Sequence, residues 1–274
     1  MAARGLLWDR PNASMFLDGV VGRSWRGPNG SAFADELAPM IYFDHNATTT
    51  LDRVARAAWE EASANFVANP ASPHRLGSRA EAALAEARER FAGLLGCDPL
   101  DLVWTSGATE ANNLVLHHFA RELEATTQVW VSAIEHPSVL APARHYFANR
   151  LCLMPVRRGG VIDLDWLKQQ LGAKRPGLIA VMAANNETGV LQPWREAMTL
   201  CREYHIPFFC DATQWLGRLP ARELGHAEFV TGSGHKFGAP KGVGFVKCPP
   251  RGRVYPLLLG GGQQEGRRAG TENV

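Results

Sequence analysis

The chain has 274 residues, 46% of them hydrophobic and 20% charged, the composition of a globular protein long enough for one large core or two modest ones. A net charge of +2 without any basic run leaves no electrostatic footprint for nucleic acid or a membrane surface. No apolar stretch approaches the roughly 18 residues that a membrane-spanning helix requires. The five scattered cysteines (Cys97, Cys152, Cys201, Cys210 and Cys248) form no Cys-x-x-Cys pair or disulfide framework, so a reducing cytoplasm is the expected compartment.

Residues 1–39 are rich in Gly, Arg, Pro and Asn, and their one apolar piece, Met15-Phe16-Leu17, is cut by Asp18. That is too short for the core of a secretory signal. Four arginines would suit a transit peptide, but Asp9, Asp18, Asp35 and Glu36 would not. The expectation is a disordered extension, or sequence upstream of a start near Met40, ahead of a domain spanning residues 40–274.

From Ile41 onward, short apolar runs alternate with helix-like segments. Helical spacing of Leu84, Ala87, Phe91 and Leu94 predicts a helix over 78–95 that Gly96 stops. Strands are predicted at 102–105, 129–132, 151–156, 178–182, 207–210, 229–231 and 244–247, with further helices at 138–149, 164–171 and 193–204. Cys152 and Cys210 lie in such apolar runs and are expected to be buried. The alternation predicts an α/β fold: a mainly parallel seven-stranded sheet with helices on both faces. Ligands bind such sheets at the carboxyl ends of the strands.

Several polar motifs fall at those ends. Thr105-Ser106-Gly107-Ala108-Thr109 leads from a strand into a helix, where exposed amides and a hydroxyl suit a phosphate, or serve as a plain helix cap. Glu135-His136-Pro137-Ser138 follows the next strand, and its histidine is either a proton carrier or a solvated turn residue. Asn185 and Asn186 offer two amides to a ligand, within a sequence that is also good turn composition. Asp211, three residues before Gln214, ends an apolar strand, where a buried carboxylate calls for a cation unless it merely caps a helix. Ser233-Gly234-His235-Lys236 follows in the same way, and a desolvated lysine is a competent imine-forming nucleophile. Lys241, in a Pro-Lys-Gly turn, is its rival and is expected to face water. A lysine amine for an aldehyde and a carboxylate for a pyridine nitrogen are what pyridoxal 5'-phosphate requires of a protein. Five such elements in order, each after a strand, outweigh the separate turn explanations.

Together with Phe43-Asp44-His45-Asn46-Ala47-Thr48-Thr49, these segments resemble those of cysteine desulfurases, from about residue 41 to the last residue. Cysteine desulfurases belong to the fold-type I, class V aminotransferase superfamily, which also holds selenocysteine lyases. The resemblance implies a large pyridoxal phosphate domain in which Lys236 carries the cofactor and Asp211 faces its ring nitrogen. It implies that His136 stacks on the ring and moves protons, and that Gln214 and Asn186 sit near the ring hydroxyl. Thr109, Ser233, His235 and the backbone at Ala108 would hold the phosphate, and Asn46 with Asn186 would line the substrate pocket. Thr271 would reach the phosphate of the other subunit in a homodimer. The implied activity takes sulfur from L-cysteine to give L-alanine and a persulfide, for a sulfur-acceptor protein and iron–sulfur cluster assembly. The alternatives are another class V enzyme, an aminotransferase or selenocysteine lyase, or a non-catalytic pyridoxal phosphate-binding fragment.

Two departures stand out. His45 occupies a position where the family commonly has Asn. Family members are also longer, and their smaller C-terminal domain carries the sulfur-accepting cysteine and an arginine that clamps the substrate carboxylate. None of the five cysteines here matches that position.

Overall fold

The structure is a computed structural model that describes residues 41–249 and 254–274. The expectation for residues 1–39 lies outside them. The chain divides into Met1–Phe43 and Asp44–Val274, and the second unit holds every element below.

Two helices precede the sheet. The first, α1 (Arg53–Asn65), begins where the Asp52 carboxylate accepts the amides of Val54 and Ala55. It was not foreseen: none of its residues is buried, so no apolar stripe announces it. The second, α2 (Arg75–Leu95), ends at Gly96, whose φ of 76° is the left-handed stop expected there. Its core-facing stripe differs from the predicted one. Ala80, Ala92 and Leu95 are buried, whereas Ala87 and Leu94 are exposed, because Arg88 lies on the inner face and donates to the Leu102 carbonyl.

Then follow β1 (Leu102–Thr105), α3 (Ala108–Glu122), β2 (Val129–Ser132), α4 (Pro137–Phe147), β3 (Leu151–Met154), α5 (Leu164–Leu171) and β4 (Leu178–Ala180). After these come α6 (Trp194–Glu203), β5 (Phe208–Asp211), β6 (Phe229–Ser233) and β7 (Gly244–Lys247). The seven strands form one sheet in the order β1-β7-β6-β5-β4-β2-β3, and β7 alone runs against its neighbours. The predicted strands are therefore present, within two residues at their ends.

Both faces of the sheet are dry. Alternate residues feed two separate cores: Trp130, Ile179, Phe208 and Cys210 point to one, Val131, Ala180 and Phe209 to the other. Two-sided burial explains why these strands read as unbroken apolar runs rather than alternating ones. Cys210 is buried as expected, but Cys152 is only half-buried, because β3 lies at the sheet's edge. Among the described residues, no helix is long and apolar enough to cross a membrane.

Candidate active site

The parallel strands β2, β4, β5 and β6 all end on one side of the sheet, and a cavity of about 810 Å³ opens there. That lies within the range of small-molecule sites, roughly 300–1,000 Å³.

Asp211, the last residue of β5, lines the cavity and is only 5% exposed. Its Oδ2 accepts from the Asn112 side-chain amide at 2.8 Å, and its Oδ1 from the Thr213 backbone amide at 2.9 Å. Among the described residues no cation pairs with it. A buried carboxylate held only by neutral donors is a site for a positively charged ligand atom.

Lys236 follows β6 in a short 3₁₀ turn and lines the same cavity. Its Nζ donates to the carbonyls of Asn46 and Ala47. Burial, then the neighbouring Arg218 cation, lowers its pKa from the ordinary lysine value, against the opposing pull of Asp211, Asp44 and Glu187. Both shifts enlarge the fraction of free amine, which is the form that attacks an aldehyde. The segment that receives Lys236 is anchored beside it, since Thr49 bonds the His235 carbonyl through both its amide and its hydroxyl. Arg218, missed at the sequence level, holds the Asn46 side chain, the Gln214 side chain and the His45 carbonyl.

The amino end of α3 borders the cavity through Gly107, Ala108 and Thr109. Gly244 on β7 packs so closely there that a Cβ on it would lie 2.4 Å from the Gly107 Cα. Ser233, whose hydroxyl lies beside Gly107, and His235 also line the cavity, and burial together with Lys236 and Lys241 lowers the His235 pKa. Free helix-end amides, hydroxyls and cations around a backbone-close wall form a cradle for a phosphate. Lys241 is exposed to water as expected, and it also borders the cavity.

His136 is the N-cap of α4, and its Nδ1 accepts the Ser138 amide at 3.1 Å. Asn186 and Asn46 complete the wall, as does Gln214, which donates to the Asn46 carbonyl. Asn185 is a correction. Its Nδ2 donates to the Ile134 carbonyl and its Oδ1 accepts from the Glu187 and Thr188 amides, so it builds the turn and leaves the ligand to Asn186. Thr271 is exposed and does not line this cavity. None of the five cysteines lines it either, and burial raises the thiol of Cys97 to about 11 and that of Cys248 to about 12.

Among the buried side-chain atoms without a partner in the described residues, the Thr213 hydroxyl belongs to a residue of the cavity wall. Together with the unpaired Asp211 carboxylate and the α3 cradle, it fits a group that brings a phosphate at one end and a protonated ring nitrogen at the other. The profile of the aminotransferase class-V family matches residues 41–274. The chain belongs to that family. It is 40% identical to cysteine desulfurase IscS of Rickettsia felis over 240 residues, which cover 84% of this chain and 58% of that protein. Its fold is similar to that of a solved NifS-like protein (TM-score 0.80, 32% identical, 85% of this chain and 65% of the other). It is also similar to SspA in complex with cysteine (TM-score 0.78, 32% identical, 85% and 69%). The chain spans 58–60% of the length of curated relatives it matches.

Within this class-V site, sequence reasoning overlooked Asn112, Ser138 and Thr231, all buried beside Asp211 and His136. The signal for Asn112 was its place in the apolar helix run Ala111–Leu116.

Proposed function

We propose that the chain is the cofactor-binding part of a pyridoxal 5'-phosphate enzyme of cysteine desulfurase type, acting on L-cysteine. The observation that carries this is the meeting of Lys236 and Asp211 on one cavity beside the α3 amino end. When bound, the cofactor supplies an electron sink for negative charge at the substrate α-carbon. Lys236 attaches it through Nζ, and Asp211 pairs with its ring nitrogen. Thr109, Ser233, His235 and the Ala108 amide hold its phosphate, and Gln214 and Asn186 orient the ring. With substrate bound, Lys236 would hold the proton that leaves the α-carbon, with His136 beside it. In the net reaction an external thiolate takes the sulfur of L-cysteine as a persulfide. The carbon–sulfur bond breaks and the β-carbon gains a proton, leaving L-alanine. None of the cysteines of this chain lines the cavity, which supports a thiol supplied by another chain or segment. A homodimer in which Thr271 reaches the partner's phosphate accompanies this reading, as does a sulfur-acceptor protein.

The test is borohydride reduction of the full chain after incubation with pyridoxal phosphate, followed by peptide mapping. The label is expected on Lys236 and absent from Lys236→Ala. With a small thiol such as dithiothreitol present, L-cysteine is expected to yield alanine. A label on Lys241, or no label at all, overturns the assignment.

A further inference from the structure

Five side chains at and behind the cavity wall form a connected hydrogen-bond network that nothing in the family assignment requires. Thr231 Oγ1 lies 2.5 Å from Asn112 Oδ1, and Asn112 Nδ2 lies 2.8 Å from both Asp211 Oδ2 and Ser138 Oγ. Ser138 Oγ lies 2.7 Å from His136 Nδ1. Thr231 and Asn112 are fully buried, and Ser138 is nearly so. Each polar atom of Thr231 and Asn112 must find its partner within this network, so the proton count starts from fixed donors and acceptors.

The count starts at two fixed points. The Ser138 backbone amide can only donate, and it points at His136 Nδ1 at 3.1 Å. Nδ1 is therefore an acceptor, and a neutral ring carries its proton on Nε2. At the other end, an Asn112 amide turned the opposite way would set its carbonyl oxygen against the Asp211 carboxylate, two acceptors in contact. The amide must then give one proton to Asp211 and the other to Ser138, and accept from Thr231. Ser138 Oγ, already accepting from Asn112, has His136 Nδ1 left for its own proton.

We infer that Asn112 and Ser138 are positioning residues that fix His136 as the Nε2–H tautomer and lock its ring to the carboxylate of Asp211. A ring held this way offers the cavity a donor. A second proton could enter only at Nδ1, where two donors already point. His136 therefore gives a hydrogen bond at Nε2, and the base that takes the proton from the substrate is Lys236. This assignment of roles deepens the cysteine desulfurase proposal and rests on it, whereas the tautomer does not.

The tautomer is read directly from long-range proton–nitrogen spectra of the full chain labelled with ¹⁵N-histidine, without cofactor. The His136 signals are those lost in His136→Gln. A protonated Nε2 and an unprotonated Nδ1 are expected, and a protonated Nδ1 or an even mixture overturns the inference. Ser138→Ala removes one of the two donors and is expected to raise the minor tautomer. It should also lower kcat for L-cysteine roughly five- to tenfold with KM little changed, the loss of one hydrogen bond. Ser138→Thr keeps the hydroxyl and is expected to restore both values, and failure of Thr to restore them overturns the role of the hydroxyl. If the Ala variant does not fold, the wild-type spectrum alone decides. A correct tautomer in a protein that leaves L-cysteine intact would sink the proposed function and leave the positioning geometry standing.

Discussion

Glu135 sits one residue before His136 and is fully enclosed, with Oε1 accepting from the Met182 amide at 2.6 Å. Its Oε2 and the nearby Ser132 hydroxyl are both buried without partners. Burial, with help from the Asp211 charge and against the Met182 amide, pushes the carboxyl from its ordinary 4.5 up to about 8. A proton on Oε2 makes it a donor, which answers the buried acceptor problem at once. The sign follows from linkage: the folded state holds this proton more tightly than the unfolded chain, so the contribution to stability is complete below pH 4.5. It declines as the pH rises towards about 8 and then levels off. Glu135→Gln keeps the shape and carries a permanent donor, so its melting temperature should exceed that of the wild type by a margin that widens across that interval. Melting scans at a series of pH values measure it, and a margin that does not vary with pH would refute a neutral Glu135. At this scale the sequence was readable where chemistry demands one residue type. Lys236, Asp211 and His136 stood out because a lysine, a carboxylate and an imidazole after strands have few cheap explanations. Asn112 and Ser138 did not, since a lone Asn in a helix and a Ser in a first turn fit bland roles until burial shows what they touch.

Elements place these side chains. The parallel strands β2, β4, β5 and β6 each end in a segment that delivers side chains to the cavity, so the two-sided burial that makes the strands apolar also fixes where their polar ends emerge. The strands were legible as runs of four to six apolar residues. Direction was not: β7 runs antiparallel because a turn, rather than a helix, links it to β6, and apolar content is the same either way. α1 escaped notice for want of a buried face, and α2 was shifted because the aliphatic stem of Arg88 took an inner position. One edge was also illegible. The side-chain amide of Gln264 donates to the Trp104 carbonyl and accepts from its amide, replacing a missing strand beside β1. The contact of Gly244 with Gly107 gives the sharpest test at this scale. In Gly244→Ala the new methyl meets backbone, so the start of α3 must move. A loss of about 1–3 kcal/mol in denaturant unfolding is expected, with a larger fractional loss of affinity for pyridoxal phosphate than for free pyridoxal, which lacks the phosphate. Gly93→Ala in α2 meets nothing within 4 Å and serves as the control. Equal losses for both ligands would mean that the cradle is not at α3.

At the scale of the molecule, the described residues 254–274 hold Thr271 outside the cavity lining of its own chain. Arg268 pairs with Glu110 at the α3 start, and Arg88 with Glu272, which pin this segment along the edge formed by β1 and α2. Thr271 lies between those anchors and is exposed, and the proposed dimer would bring it to the phosphate of the other copy. That geometry has a consequence which a single chain cannot imitate. A dimer of Lys236→Ala with Thr271→Ala places both lesions in one site and leaves the second site with an intact lysine and an intact threonine. If Thr271 instead served its own chain, both sites would be damaged. Random reassembly of equal amounts makes half of the dimers mixed, so about a quarter of the wild-type borohydride label is expected on Lys236 if Thr271 is essential to retention. Each variant alone should retain little, and a mixture no better than the mean of its components would place Thr271 outside any shared site.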